Sequence, residues 1–268
     1  CYHIRSYRPK PIVRKEYIKP SADGTSAKRV IAKLADNGFA KCILGTSLLT
    51  HISISKYVDH LPIYRIQQIF KRDKVKIDEA TIYSSLKRVC NLLDPLYELH
   101  KKMVLSTRYL SADETTIAVL DEEKKGATHQ GYFWAYYDTV QRLIVFEYQK
   151  GRAAVFPKEV LKDYEGYLLS DGYDAYSQFD AMPNITTHNC WAHARRKFYD
   201  AQNFDKDKCE AVLTLIAKLY AIEREFKLDT AEQRQKERQS TAIPILNELK
   251  ALLDKYIINA IPRSPLHN

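Results

Sequence analysis

The chain has 268 residues, 45% of them hydrophobic and 28% charged, and carries a net charge of +9. That is enough apolar sequence for one large domain or two small ones, which excludes a disordered chain, and the basic excess favours a polyanionic partner, most often nucleic acid. The five cysteines are scattered, with no Cys-x-x-Cys pair, and no apolar run approaches a membrane span or a signal-peptide core; this excludes a disulfide framework and points to a reducing compartment.

Residues 1–30 hold eight Lys or Arg against two acids, interrupted by Pro9, Pro11 and Pro20. The segment, with its linker to about residue 40, reads as an extended basic arm with at most short strands, either contacting phosphate or simply solvated. A helix is expected over 46–60, ended by Pro62, and a short amphipathic helix over 63–72. After a polar turn, Asp78 is a good N-cap for a long helix to about residue 105, which Pro95 should kink or divide. Short helix, tight turn and longer helix resemble a helix-turn-helix, and Lys71, Arg72, Lys74, Lys76, Lys87 and Arg88 cluster there. An ordinary helical hairpin with a solvated basic face explains the same residues.

The middle of the chain changes character. Residues 109–120, 131–138 and 142–149 are rich in β-branched and aromatic residues and are joined by short breaks, so three antiparallel strands are expected. A helix over 151–164, a short apolar strand at 166–171, another short helix, and a fifth strand near 185–190 follow. That order is the order of the ribonuclease H-like fold, a mixed sheet of three antiparallel and two parallel strands. The remainder, 205–260, reads as a helical hairpin separated by the polar stretch 230–240. The expected division is a basic arm over 1–40, a helical region over 41–106, the α/β core over 107–204 and a helical insertion over 205–268.

Two aspartates stand where this topology places chemistry. Asp113 ends or interrupts the first strand and Asp171 ends the fourth, and these strands lie side by side in such a sheet. Rigidly held carboxylates suit Mg²⁺ or Mn²⁺, and paired carboxylates in a basic protein suit two-metal phosphodiester chemistry. Glu114 and Asp174 are nearby alternatives, Glu114 facing the other way if the strand continues. A plain Asp-Gly turn at 171–172 and a helix cap at Asp113 are the competing explanations. At the end of the fifth strand, Arg195, Arg196 and Lys197 form a basic patch suited to phosphates, and His193 can contact a phosphate or shuttle a proton. Cys190 and His193, with His188 and at best Cys209, are an alternative zinc set, though the spacing is poor for a closed site.

Ser55-Lys-Tyr-Val-Asp-His-Leu-Pro-Ile-Tyr-Arg65, Ser111-Ala-Asp-Glu-Thr115, Ser170-Asp-Gly-Tyr173 and Cys190-Trp-Ala-His-Ala-Arg-Arg-Lys-Phe198 occur in this order. Together, over roughly residues 40–268, they resemble the insertion-sequence transposases of the "sixty-six" family of bacterial mobile elements. The resemblance implies a ribonuclease H-like domain of the Asp-Asp-Glu type, cutting and joining double-stranded DNA at element ends and target with Mg²⁺ or Mn²⁺. It implies that Asp113 and Asp171 are the first two catalytic acids and metal ligands. Self-association in a synaptic complex, a bacterial cytoplasmic and nucleoid-associated location, and no membrane partner follow from it as well.

The chain departs from the family pattern in two places. Only Cys1 and Cys42 stand where a cysteine-rich zinc segment is usual, too few for a site. The third acid belongs to an Asn-Asn-x-x-Glu segment beyond a Ser-Pro-Leu run; here Ser264-Pro-Leu266 is followed by two residues, and Glu210, Glu223, Glu225 and Glu248 are poor substitutes. Since the first residue is Cys rather than Met, the chain is expected to be a fragment or truncated product, and to carry out little or no strand transfer as it stands. A non-catalytic DNA-binding remnant is the alternative; a structure-specific resolvase fits the Cys-Trp-Ala-His-Ala-Arg-Arg motif less well.

Overall fold

A computed structural model describes residues 16–20, 27–31, 42–121, 126–258, 261, 264 and 265. Cys1 and most of the basic arm lie outside the described residues. The chain forms two compact units, dividing at Leu99 and His100.

In the first unit, β1 (Glu16–Pro20) and β2 (Ala27–Ile31) pair as an antiparallel hairpin within the basic arm. Helices α1 (Thr46–Tyr57) and α2 (Ile63–Arg72) pack with the first turns of α3 (Glu79–Leu105) around Leu49, Ile52, Ile66, Phe70, Ile82 and Leu86. Pro62 occupies the N-cap of α2, where its missing N–H costs nothing. Asp78 precedes α3 as expected, and the Thr81 hydroxyl donates to its carboxylate at 2.7 Å. That hydrogen bond holds the Asp78 carboxyl below its ordinary value. Pro95 does not divide α3: the helix runs through it, giving up only the hydrogen bond that the Pro95 nitrogen cannot donate. The turn between α2 and α3 places Lys74 in the left-handed region at φ 60°, with Lys71, Arg72 and Lys76 exposed around it.

The second unit is built on a five-stranded sheet: β3 (Tyr109–Leu120), β4 (Thr128–Asp138), β5 (Leu143–Gln149), β6 (Gly166–Ser170) and β7 (Ile185–Asn189). Its order is β5-β4-β3-β6-β7; β3, β4 and β5 are antiparallel neighbours, while β6 runs parallel to both β3 and β7. This is the expected ribonuclease H-like mixed sheet. Alternation along β3 and β4 sends Leu110, Ala112, Trp134 and Tyr136 to one face. There they meet Val104 at the end of α3, Leu161, Tyr176 and Phe179 in one buried cluster. Asp138, fully buried at the β4–β5 turn, accepts hydrogen bonds from the Val140 and Gln141 amides and the Thr107 hydroxyl. Burial works to raise its pKa, but these bonds hold it below the ordinary value.

Helix α4 (Val155–Val160) is shorter than the expected 151–164: Gly151–Ala153 lie outside it and Ala154 is its N-cap. A 3-10 turn, Asp174–Phe179, stands where a second short helix was expected. Gly166 opens β6 at φ 144°, and a Cβ there would lie 2.6 Å from the carbonyl oxygen of Arg108. That oxygen accepts the Tyr167 amide at 2.8 Å and pins β6 beside β3. Gly166→Ala is therefore expected to destabilise the second unit by about 2 kcal/mol, measurable as a lower denaturation midpoint.

Beyond the sheet lie α5 (Trp191–Asp200), α6 (Lys206–Glu225), α7 (Ala231–Glu237) and α8 (Ile243–Ile258). Val212, Leu215, Ile216 and Leu249 form the core of this helical layer. The expected hairpin thus gains a third helix. Thr230 and Gln233 make a capping box that starts α7, and a π-helical turn, Arg238–Ala242, joins α7 to α8. Among the described residues no helix is long and apolar enough to cross a membrane.

Candidate functional site

The register of the two parallel ladders determines which side chains share the sheet edge. Tyr109 lies opposite Tyr167 and Ser111 opposite Leu169. Asp113 and Asp171 each lie two residues beyond that last pair, Asp113 still within β3 and Asp171 just past the end of β6. In the next ladder Leu169 lies opposite His188, so Asp171 is level with Cys190. Asp113 does not end its strand, as one expectation had it. The β3–β4 ladder continues to Leu120, and only the pairing with β6 stops before Asp113.

Asp113 is the open member of the pair, with a side chain 58% exposed. One of its oxygens, Oδ1, accepts the Glu114 amide at 2.8 Å, and Oδ2 stands 3.9 Å from Nε2 of His193. His193 is in the first turn of α5, and its Nδ1 is enclosed with no hydrogen-bond partner among the described residues. The tautomer with its proton on Nε2 suits this position: it aims an N–H at Asp113 and leaves Nδ1 an acceptor. Asp171 accepts the Tyr173 amide at 2.9 Å, and Gly172 between them has φ 81°. The Asp-Gly turn read from the sequence is therefore real, and it holds one carboxylate oxygen while the other, Oδ2, faces Arg152 at 3.9 Å.

Glu114 takes the opposite face, because the strand continues. Its side chain is only 2% exposed and forms an ion pair with Arg152, whose Nε donates to Oε1 at 2.6 Å. The Tyr176 hydroxyl donates to Oε2 at 3.3 Å. Burial pushes the Glu114 carboxyl above its ordinary value; Arg152 pulls it back, and the charges of Asp171 and Asp113 push it up again. The Arg152 guanidinium also lies over the Tyr173 ring at 3.7 Å, and the Tyr173 hydroxyl donates to the Arg152 carbonyl at 3.0 Å. Sequence reasoning missed Arg152, Tyr173 and Tyr176. The only signal was an arginine just after a strand, in a segment whose apolar spacing looked helical.

The basic patch is split by the helix. On α5, His193 turns to Asp113, whereas Ala192, Arg195, Arg196, Tyr199 and Asp200 line a concavity of about 590 Å³ together with Tyr220 of α6. Lys197 is exposed. The Arg195 guanidinium sits 5.9 Å from the Tyr199 ring centre. Asp174 heads the 3-10 turn. His188 stacks on Tyr167 at 5.6 Å, and Cys209 is fully buried. Among the described residues no group of three or more His, Cys, Asp or Glu side chains is arranged to hold a metal ion, the zinc set included. Of the glutamates considered as substitutes for a third acid, Glu210 pairs with Lys206 and Glu223 with Arg238, both within the helical layer.

The donor chemistry at the edge nonetheless suits one hard cation. Mg²⁺ typically takes one or two carboxylates and fills its remaining positions with water and substrate phosphate. Asp113 and Asp171 are two such carboxylates, each two residues beyond the last β3–β6 pair.

A five-stranded mixed sheet of order β5-β4-β3-β6-β7 defines the class of domain as ribonuclease H-like. Residues 41–268 match the family model described as "Transposase IS66 family". The chain belongs to the IS66 transposase family. It is 30% identical over 261 residues to "Uncharacterized protein y4jD" of Sinorhizobium fredii, covering 92% of this chain and 50% of that protein. "Uncharacterized protein y4qI" of the same organism is 28% identical, with 90% of this chain and 47% of that protein covered. The chain thus spans about half the length of the curated relatives it matches. One solved structure, "CryoEM structure of simian T-cell lymphotropic virus intasome in complex with PP2A regulatory subunit B56 gamma", contains a chain that aligns at TM-score 0.25 and 11% identity, covering 48% of this chain and 46% of that one. That likeness is too slight to bear on the site.

Proposed function

We propose that this chain is the DNA-handling and part-catalytic region of a bacterial insertion-sequence transposase, with Asp113 and Asp171 as two of its metal-binding acids. The observation that supports the reading is the parallel β3–β6 ladder, whose last pair, Ser111 and Leu169, lies two residues before Asp113 on one strand and Asp171 after the other. Bound there, Mg²⁺ or Mn²⁺ would activate the attacking oxygen and stabilise the leaving one. Asp113 and Asp171 would hold the ion. His193 orients Asp113 through Nε2. Arg152 keeps a positive charge beside Asp171, and its ion pair with Glu114 fixes the loop that carries it. Arg195, Arg196 and Lys197 bind phosphates of the strand being cut.

Double-stranded DNA is the substrate in this reading. The 41–106 region and the 1–40 arm add sequence-independent contacts, and copies of the protein assemble around paired ends in the cytoplasm at the nucleoid. Duplex binding is expected to weaken steeply with salt, and Arg195→Ala with Arg196→Ala to flatten the log–log salt slope by about one per residue. Duplex affinity indifferent to salt would remove the DNA reading. A non-catalytic DNA-binding remnant would bind duplex equally well and is distinguished by metal binding at the two aspartates.

A further inference from the structure

Next to the concavity lined by Arg195 and Arg196 lies a second, more apolar one of about 290 Å³, and Tyr220 lines both. Its walls are Trp191 from α5, Ile216 and Leu219 from α6, and Ile243 and Leu246 from α8. Trp191, which lines this pocket, is 44% exposed, whereas the chain's other tryptophan, Trp134, is 1% exposed in the sheet core. The rim is polar: Gln239, and Arg238 held by Glu223 through paired hydrogen bonds of 2.6 and 2.7 Å. Arg238, Gln239 and Ala242 come from the π-helical turn, an irregularity that often marks a functional position.

We infer that these adjoining hollows form a binding site for one unpaired nucleotide, with its base against Trp191 and Tyr220 and its phosphate on Arg195 and Arg196. Aromatic faces beside a cationic groove are how proteins hold single-stranded nucleic acid, since every base has a face to stack and every nucleotide a phosphate to neutralise. The apolar wall with an amide at its rim suits a flat heterocycle edged by hydrogen-bonding groups. Position supports the same occupant. Trp191 directly follows Cys190, whose amide donates to the Ser170 carbonyl at 2.8 Å, and Ser170 directly precedes Asp171. The chain that leads into the pocket wall is thus tied to the strand end that leads to Asp171. The inference rests on the DNA reading above but assigns a site that the two acids do not require.

With only two tryptophans, one of them buried, quenching of emission by a ligand reports Trp191. The test titrates the full 268-residue chain with a short oligothymidylate, an abasic oligomer of equal length, and a duplex. The oligothymidylate is expected to quench the emission and to bind about tenfold more tightly than the abasic strand. Trp191→Ala should erase that preference and Trp191→Phe should keep most of it. Arg195→Ala with Arg196→Ala should weaken both strands alike. Equal affinity for base-bearing and abasic strands, or a preference that survives Trp191→Ala, overturns the proposal. If duplex binding and its salt dependence persist in that case, only the nucleotide site fails. If duplex binding is also absent, the DNA reading fails with it.

Discussion

Replacing Arg152 by alanine is expected to destabilise the second unit by about 3 kcal/mol at neutral pH, and by much less in acid. Removing one partner of a buried ion pair leaves the other charge uncompensated, at a cost of about 3–5 kcal/mol. The low end applies because Glu114 is 2% exposed but Arg152 is 40% exposed, so solvent screens part of the interaction. The pH dependence follows from Glu114. Burial raises its pKa above 4.5 in the folded protein, and Arg152 works against that rise. Without Arg152 the folded value climbs further. A raised carboxyl adds stability that is fully present below the unfolded pKa and is lost as pH rises through the folded one. The deficit of Arg152→Ala should therefore widen from pH 4 to pH 8.

Two further variants separate charge from shape. Glu114→Gln removes the buried charge and leaves Arg152 half in solvent, so it should cost only about 1 kcal/mol with little pH dependence. Arg152→Lys keeps the cation but loses the fork and much of the Tyr173 stack, and should fall between the two. Denaturant titration followed by tryptophan emission reads all three, since both tryptophans lie in the second unit and Trp134 packs edge-on against Tyr176 at 6.0 Å. A deficit of equal size at pH 4 and pH 8 would mean that the lost contacts, not the stranded charge, set the cost.

The ease with which this chain can be read varies with how local the determining physics is. The strands announce themselves: β3 is Tyr109–Leu120, as the run of β-branched and apolar residues requires, and β6 is short and apolar because both its edges are paired. The adjacency of β3 and β6, the strands that lead to Asp113 and Asp171, was legible because element order implies the sheet order. Glu114 was legible only as far as its direction. Its partner lies 38 residues away, beyond two further strands, and a long-range ion pair leaves no periodic trace. Arg152 also shortened α4: a guanidinium held by Glu114 and by the Tyr173 ring outweighs the helical spacing of Gly151–Tyr164. Pro95 erred in the other direction. A single missing hydrogen bond is tolerated where the rest of a 27-residue helix continues on both sides. In the helical layer, Thr230-x-x-Gln233 was a readable start signal hidden within a stretch whose charge suggested only a connection.

The second large effect concerns the metal. The chain is expected to bind Mn²⁺ measurably, and Asp113→Asn and Asp171→Asn are each expected to weaken that binding by at least the tenfold to hundredfold typical of an outer-shell partner. The expectation follows from donor number. With two carboxylates, losing either leaves a single acid, which holds a hard cation hardly better than water does. His193→Ala should matter less, by about tenfold, because it orients Asp113 without supplying an oxygen donor. Phosphate should tighten the wild-type site by filling positions that the protein leaves to water, and should not rescue either asparagine variant. Electron paramagnetic resonance of free Mn²⁺ measures each case without any need for turnover, so the result does not depend on a third acid. Mn²⁺ affinity unchanged in the doubly substituted chain would place the ion elsewhere and would leave the two aspartates as a turn and an exposed strand residue. Affinity lost in both single variants, with duplex binding intact, would separate a metal-dependent transposase region from a merely DNA-binding one.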